Sequence, residues 1–212
     1  MIKKILVTGG CGFIGSNIAN HFAKKGFKVF IIDNLSVGNR HNLIKSKNIH
    51  FYKADINNIN KINIKDKIDC CIHLAARAEI MIERKREHQY FFDNVLGLQE
   101  VLNFCAKKKV KKFIFASSAS VYGDTLNIKV KENKKKNPLH FYGYTKAIGE
   151  EMVRDYCEIN KIKYFNLRFF NVYGNRSNAV VAKFIAQYLQ NKEITVYGSG
   201  NQSRDFIHVD DI

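Results

Sequence analysis

Along the first four fifths of the chain, apolar residues gather in short β-branched runs separated by longer amphipathic stretches. The runs are Ile5-Leu6-Val7, Val29 to Ile32, Ile49 to Tyr52, Asp69 to Leu74, Phe113 to Ala116 and Tyr164 to Leu167. Their near-continuous apolar character suits strands buried on both faces. Helical periodicity fills residues 13–25, 87–107 and 146–159. This alternation predicts βαβ crossovers and a doubly wound α/β sheet of Rossmann type, with helices on both faces.

Beyond Tyr173 the pattern changes. Val180 to Gln190 reads as a helix, and Thr195 to Tyr197 and Phe206 to Val209 read as short strands. The acidic pair Asp210-Asp211 followed by Ile212 resembles the start of another helix. The expected organisation is a dinucleotide-binding domain over residues 1–175 and the beginning of an incomplete substrate lobe over 176–212. The polar stretch Lys129 to Asn137 reads as a loose surface loop.

Composition narrows the class. The 212 residues are 46% hydrophobic and 25% charged, as in a folded soluble protein. No apolar run approaches a membrane span, and the N-terminus enters a strand without a signal pattern, so a cytoplasmic location is expected. Cys11, Cys70, Cys71, Cys105 and Cys157 are odd in number and lack metal spacing, which argues against disulfides and bound metal. The net charge of +16 could favour nucleic acid or a phosphorylated substrate. The lysines are scattered without a basic-aromatic ladder, which disfavours nucleic acid.

Candidate chemistry begins at Thr8-Gly9-Gly10-Cys11-Gly12-Phe13-Ile14-Gly15, directly after the first strand and opening a helix. Glycines so placed let the backbone approach a pyrophosphate at the helix N-terminus. Asp33 ends the second strand, where a carboxylate accepts bonds from ribose hydroxyls and repels a 2′-phosphate, favouring NAD over NADP. A turn cap is the other reading of Asp33, and a helix N-cap that of Asp55, which otherwise suits an adenine contact. Tyr142 and Lys146 form a Tyr-x-x-x-Lys pair, one turn apart on one helix face. A neighbouring ammonium and a positively charged nicotinamide ring should both favour phenolate and make a proton shuttle. Tyr144 falls on a different face. Upstream, Ala116-Ser117-Ser118-Ala119-Ser120-Val121-Tyr122-Gly123 ends a strand where open α/β sheets bind ligands.

Together with Ile32-Asp33-Asn34-Leu35-Ser36, His73-Leu74-Ala75-Ala76, Asn94, Leu167 to Gly174 and Arg204-Asp205-Phe206, these motifs resemble the extended short-chain dehydrogenase/reductase family. The likeness is to its NAD-dependent nucleotide-sugar epimerase and dehydratase branch. It implies that Gly9, Gly12, Phe13, Ile14 and Gly15 cradle the pyrophosphate, Asp33 with Asn34 beside it meets the ribose, and Asp55 and Ile56 meet the adenine. Leu74, Ala75, Ala76 and Asn94 would line the cofactor cleft, with Phe170 near the nicotinamide. Ser118 matches the substrate serine, Tyr142 the acid/base, and Lys146 the residue holding the nicotinamide ribose. Asn171 and Arg204 would contact the diphosphate of a nucleotide sugar.

Dehydratases of this branch carry an acidic residue just before Val-Tyr-Gly, whereas this chain has Ala119 and Ser120. That departure favours 4-epimerisation through a transient 4-keto sugar. Glu79-Ile80 and His140-Phe141 also depart from the pattern, and Glu79 would disfavour a sugar acid. The resemblance further implies a homodimer through helices 87–107 and 146–159. A related dehydratase or reductase, or a non-catalytic dinucleotide-binding protein, remains the alternative.

Overall fold

The structure, a computed structural model, describes residues 3–79, 84–125, 129–177 and 179–212. The chain divides into two compact units, Met1–Arg168 and Phe169–Ile212. In the first, six strands form one sheet: β1 (Lys4–Thr8), β2 (Lys28–Asp33), β3 (Ile49–Lys53), β4 (Cys70–His73), β5 (Lys112–Ser118) and β6 (Lys163–Phe169), in the order β3-β2-β1-β4-β5-β6. The sheet is parallel, as the β1–β2, β1–β4, β2–β3 and β4–β5 registers show. This is the Rossmann order, and its switch point lies between β1 and β4.

Alternation along the strands divides the core in two. On one face Ile5, Val7, Val29, Ile31 and Cys70 pack with Ala19 and Ala23 of helix α1 (Phe13–Lys24). On the other, Leu6, Phe30, Ile32, Cys71, Phe113 and Phe115 pack under α3 (Gly97–Lys107) and α4 (Phe141–Ile159). The adjacent Cys70 and Cys71 therefore serve opposite faces, as a strand requires. The five thiols are buried and form no disulfide.

The stretch expected as one helix over 87–107 is α2 (Glu87–Phe91), a π turn at Phe92–Leu96, and α3. Such wide turns concentrate at functional sites, and this one carries Asn94. Helix α4 begins five residues before the expected 146. Helical periodicity is obscured there by Gly143, which packing demands: a Cβ on it would lie 2.8 Å from Ser120 O and 2.9 Å from Pro138 Cβ.

The second unit holds β7 (Asn171–Tyr173) and β8 (Phe206–His208), paired in parallel, and α5 (Val180–Leu189). Among its described residues only Val209 is buried. Thr195 to Tyr197 is not a strand. Its apolar alternation finds no partner, since β7 and β8 pair with each other, and Thr195 Oγ1 instead takes a bond from Gln187 Nε2 at 3.2 Å. Nor is 129–137 loose: Arg168 Nη1 donates to Glu132 O at 2.8 Å, and Lys136 reaches Glu150 and Glu151.

Candidate active site

The C-terminal ends of β1, β2, β4 and β5 bring the predicted residues of the first unit together. After β1 the chain turns so tightly that a Cβ on Gly15 would lie 2.1 Å from Gly9 O, and one on Gly9, at φ +68, would lie 2.7 Å from Ala75 N. Only glycine permits this closeness. The first turn of α1, including Phe13, Ile14 and Gly15, has no acidic residue, and Gly12 contributes no side-chain cap. Its positive end is thus left for an anion, which fits a dinucleotide pyrophosphate.

Asp33 ties this loop to β2. Its Oδ2 accepts from Cys11 N and its Oδ1 from Leu35 N, both at 2.8 Å. Each carboxylate oxygen can accept further bonds, so ribose hydroxyls remain compatible with the carboxylate. Burial, reinforced by the charge of Asp33, pushes the Cys11 thiol up to about 12, so it stays protonated beside the loop. Asp55 is an N-cap: Oδ1 accepts from Asn57 N at 2.9 Å, and Oδ2 accepts from Asn34 Nδ2 at 2.9 Å. Burial opposes its ionisation, but the Asn57 and Asn34 bonds outweigh that and lower its pKa. The Ile56 side chain is buried in the core, beneath Gly97.

On the β4 side, Thr8 Oγ1 accepts from the Leu74 and Ala75 amides, each at 3.3 Å, and lies 2.7 Å from His73 Nδ1. With both acceptor positions taken, the hydroxyl donates to His73, whose ring is neutral at Nδ1. Burial, aided by the Lys146 charge, pushes His73 down to about 3. Ala76 follows in the same loop. Asn94 is buried, with its amide engaged by protein: Oδ1 accepts from Arg77 N at 2.8 Å, and Nδ2 donates to Arg77 O and Thr145 Oγ1, both at 3.0 Å. It joins the β4 loop to α4.

Ser118 ends β5 and caps the turn Ala119–Tyr122, accepting from Ser120 N at 3.2 Å. The Tyr142 phenol lies near enough for this hydroxyl to lower its pKa. Lys146 is 3% exposed, and its Nζ donates to Ala116 O at 2.7 Å and sits 5.8 Å from the Tyr142 ring centre. Ser118, Tyr142 and Lys146 are therefore neighbours at the end of β5. Within the protein itself, burial sets the ionisation of the Tyr142–Lys146 pair. Burial pushes Lys146 down to about 7, weakening the ammonium. Burial also raises Tyr142, and the Ser118 hydroxyl only partly opposes this. The protein alone holds the phenol protonated.

One hydroxyl escaped sequence reasoning. Ser120 Oγ is buried without a hydrogen-bond partner, on the turn that also carries Ser118. The only signal was its place in a serine-rich segment. No cluster of three or more metal-binding side chains occurs among the described residues.

Residues 5–212 match the model of the NAD dependent epimerase/dehydratase family. The chain belongs to this family. Its cofactor is NAD, and the cradle just described fits it. A putative UDP-glucose 4-epimerase of Methanocaldococcus jannaschii is 39% identical over 98% of the chain and 70% of its own length. A dTDP-D-glucose 4,6-dehydratase of Dictyostelium discoideum is 34% identical over the whole chain and 54% of its own length. The structure of a UDP-N-acetylglucosamine 4-epimerase from Methanobrevibacter ruminantium, in complex with UDP-N-acetylmuramic acid, superposes with a TM-score of 0.89 at 35% identity. It covers 98% of this chain and 69% of that one.

Phe170, Asn171 and Arg204 belong to the second unit. There Asn171 Nδ2 donates to Asp205 O at 2.8 Å, and Arg204 Nη1 donates to Ser203 O at 2.7 Å. Glu79 is not a bare anion: Arg86 Nη1 lies 3.2 Å away, and Tyr90 OH donates to it at 3.2 Å. Its case against a sugar acid is correspondingly weaker. Ile80 lies outside the described residues. No described helix is long and apolar enough to cross a membrane.

Proposed function

We propose that the protein is an NAD-dependent nucleotide-sugar 4-epimerase working through a transient 4-keto sugar. The carrying observation is that Tyr142 and Lys146 of α4 lie beside Ser118 at the end of β5, where the segment from Ser117 to Gly123 contains no carboxylate. Bound NAD⁺ supplies the hydride acceptor, later its donor, and a positive ring that favours phenolate. Tyr142 takes the proton of the sugar C4 hydroxyl and later returns it. Ser118 holds the C4 oxygen, and Ser120 offers a second hydroxyl. Lys146 holds the nicotinamide ribose and, when protonated, adds charge that favours phenolate.

Gly9, Gly12, Phe13, Ile14 and Gly15 hold the pyrophosphate in this reading, and Asp33 and Asn34 the adenosine ribose. The adenine lies by Asp55 and by the backbone of Ile56, whose side chain is committed to the core. Leu74, Ala75 and Ala76 border the cleft, and Asn94 supports it through its protein contacts. Phe170 for the nicotinamide, and Asn171 and Arg204 for the diphosphate, rest on motif likeness alone. The substrate is a nucleotide-diphosphate sugar. A homodimer through α2, α3 and α4 is supported by Phe91, Phe92, Leu96 and Ile148, which stand exposed. The location proposed is cytoplasmic.

The dehydratase relative favours a second reading, in which water is eliminated from the keto sugar. It requires an acid that Ala119 and Ser120 do not provide. A panel of UDP- and dTDP-sugars, analysed by NMR for configuration at C4 and for loss of water, separates the two. In Tyr142→Phe, turnover should fall by about 10² to 10⁴ while NAD affinity persists. Undiminished turnover in that variant overturns the assignment. NAD binding without turnover of any nucleotide sugar by the parent protein leaves only a dinucleotide-binding protein.

A further inference from the structure

Helix α4 carries a third side chain on the face of its reactive pair. Tyr142, Lys146 and Glu150 are spaced four apart, so they stack along one side. Glu150 is 3% exposed, and a buried carboxylate persists only with partners. It has several. Ser117 Oγ donates to it at 2.5 Å, Arg168 Nε and Nη2 at 2.8 and 2.7 Å, and Lys136 Nζ at 3.2 Å. Arg168 also donates from Nη1 to Tyr122 OH at 2.9 Å, with its guanidinium 4.8 Å from that ring. A bidentate guanidinium on a carboxylate fixes direction as well as distance.

Two of these side chains grip successive residues of β5. Lys146 Nζ donates to Ala116 O, and Glu150 accepts from Ser117 Oγ. Sliding α4 by one residue, about 1.5 Å, would break both at once and carry Tyr142 away from its place near Ser118. Glu150 is the only one of them joined to β6 and to the 129–137 loop as well. Replacing the whole network by packed apolar residues could leave stability equal or better, so register is what the network contributes beyond stability.

We propose that Glu150 is a positioning residue, which sets the register of α4 on the end of β5 and so places Tyr142, two turns before it on the same helix face. This rests on the reading of Tyr142 as the proton shuttle. The test compares Ser117→Ala, which removes one hydroxyl, Glu150→Gln, which keeps shape and removes charge, and Arg168→Lys, which removes the fork. For each, kcat and KM are measured with the UDP-sugar that the parent protein turns over. The Tyr142 phenol is titrated by the ultraviolet difference between each variant and its Tyr142→Phe counterpart.

In Glu150→Gln, kcat should fall roughly tenfold to a hundredfold, the cost of a small misplacement at a reacting centre. KM should stay within about twofold, because substrate contacts are untouched. Ser117→Ala should fall less, and Ser117→Ala with Glu150→Gln no further than Glu150→Gln alone, since both cut one link. Tyr142 should titrate at higher pH than in the parent, because it moves away from Ser118, whose hydroxyl lowers its pKa. If Glu150→Gln and Ser117→Ala lower the melting temperature but leave kcat and the Tyr142 titration at parent values, Glu150 is only a structural ion-pair partner and the inference fails. If Tyr142→Phe retains parent turnover, the functional reading fails instead, and the titration alone still decides the register claim.

Discussion

Helices α3 and α5 carry comparable apolar patterns and meet different fates. Helix α3 buries Leu98, Val101, Leu102, Phe104 and Cys105, whereas α5 buries no residue and leaves Leu189 73% exposed. The contrast extends to polar groups. In Met1–Arg168 they reach across the fold, as Asn94 does to Thr145 and Glu150 to Arg168. In Phe169–Ile212 side-chain bonds are largely local, as from Gln202 to Tyr197 O and from Gln187 to Thr195. An amphipathic pattern states which face an element would bury. What it meets there is decided by the rest of the fold.

The largest expected difference comes from making one substitution in both regions. Leu102→Ala should cost about 2 to 5 kcal/mol of unfolding free energy in urea, because the core cannot collapse into the space left. A cost under about 1 kcal/mol would show that the first unit is not the packed body described.

Cofactor choice should follow next, since Asp33 belongs to the first unit. A phosphate placed against this buried carboxylate should weaken NADP relative to NAD by roughly 3 kcal/mol, about a hundredfold or more. Calorimetric titration of both cofactors checks it, and equal affinities would remove Asp33 from the ribose site.

Per pH unit, a smaller effect is expected from His73. Its pKa falls from 6.5 in the unfolded chain to about 3 in the fold, so between those values the unfolded state binds the extra proton. Stability should therefore fall as pH drops from 6.5 towards 3, by up to about 1.4 kcal/mol per unit from this group. His73→Gln should flatten that slope, and an unchanged slope would mean that the imidazole is not held neutral. Least of all, Leu189→Ala should change stability by no more than about 0.5 kcal/mol. A loss comparable with Leu102→Ala would erase the contrast between the two units.

Local signals made most of the first unit legible. The six apolar runs became the six strands, and the glycine loop, Asp33, Ser118, Tyr142 and Lys146 lie at their C-terminal ends. What escaped depended on contacts distant in sequence. Glu150 draws its partners from positions 117, 136 and 168, and no spacing rule links those numbers. The π turn at Asn94 answers to the β4 loop and to Thr145. Lys146 beside Tyr142 suggested a lowered phenol pKa, but burial acts on both groups and the lysine is turned towards Ala116 O. Thr195 to Tyr197 had strand character and no strand to pair with.

The central claim is oxidation at C4 and return of the same hydride within one site, with Tyr142 as the acid/base. Its most direct test uses a UDP-sugar deuterated at C4, converted by the protein in ordinary water and followed by NMR. The account predicts an epimer that keeps its deuterium at C4, with Tyr142→Phe slowing its formation. Loss of the C4 deuterium to solvent, or a dehydrated keto sugar as the accumulating product, would contradict it.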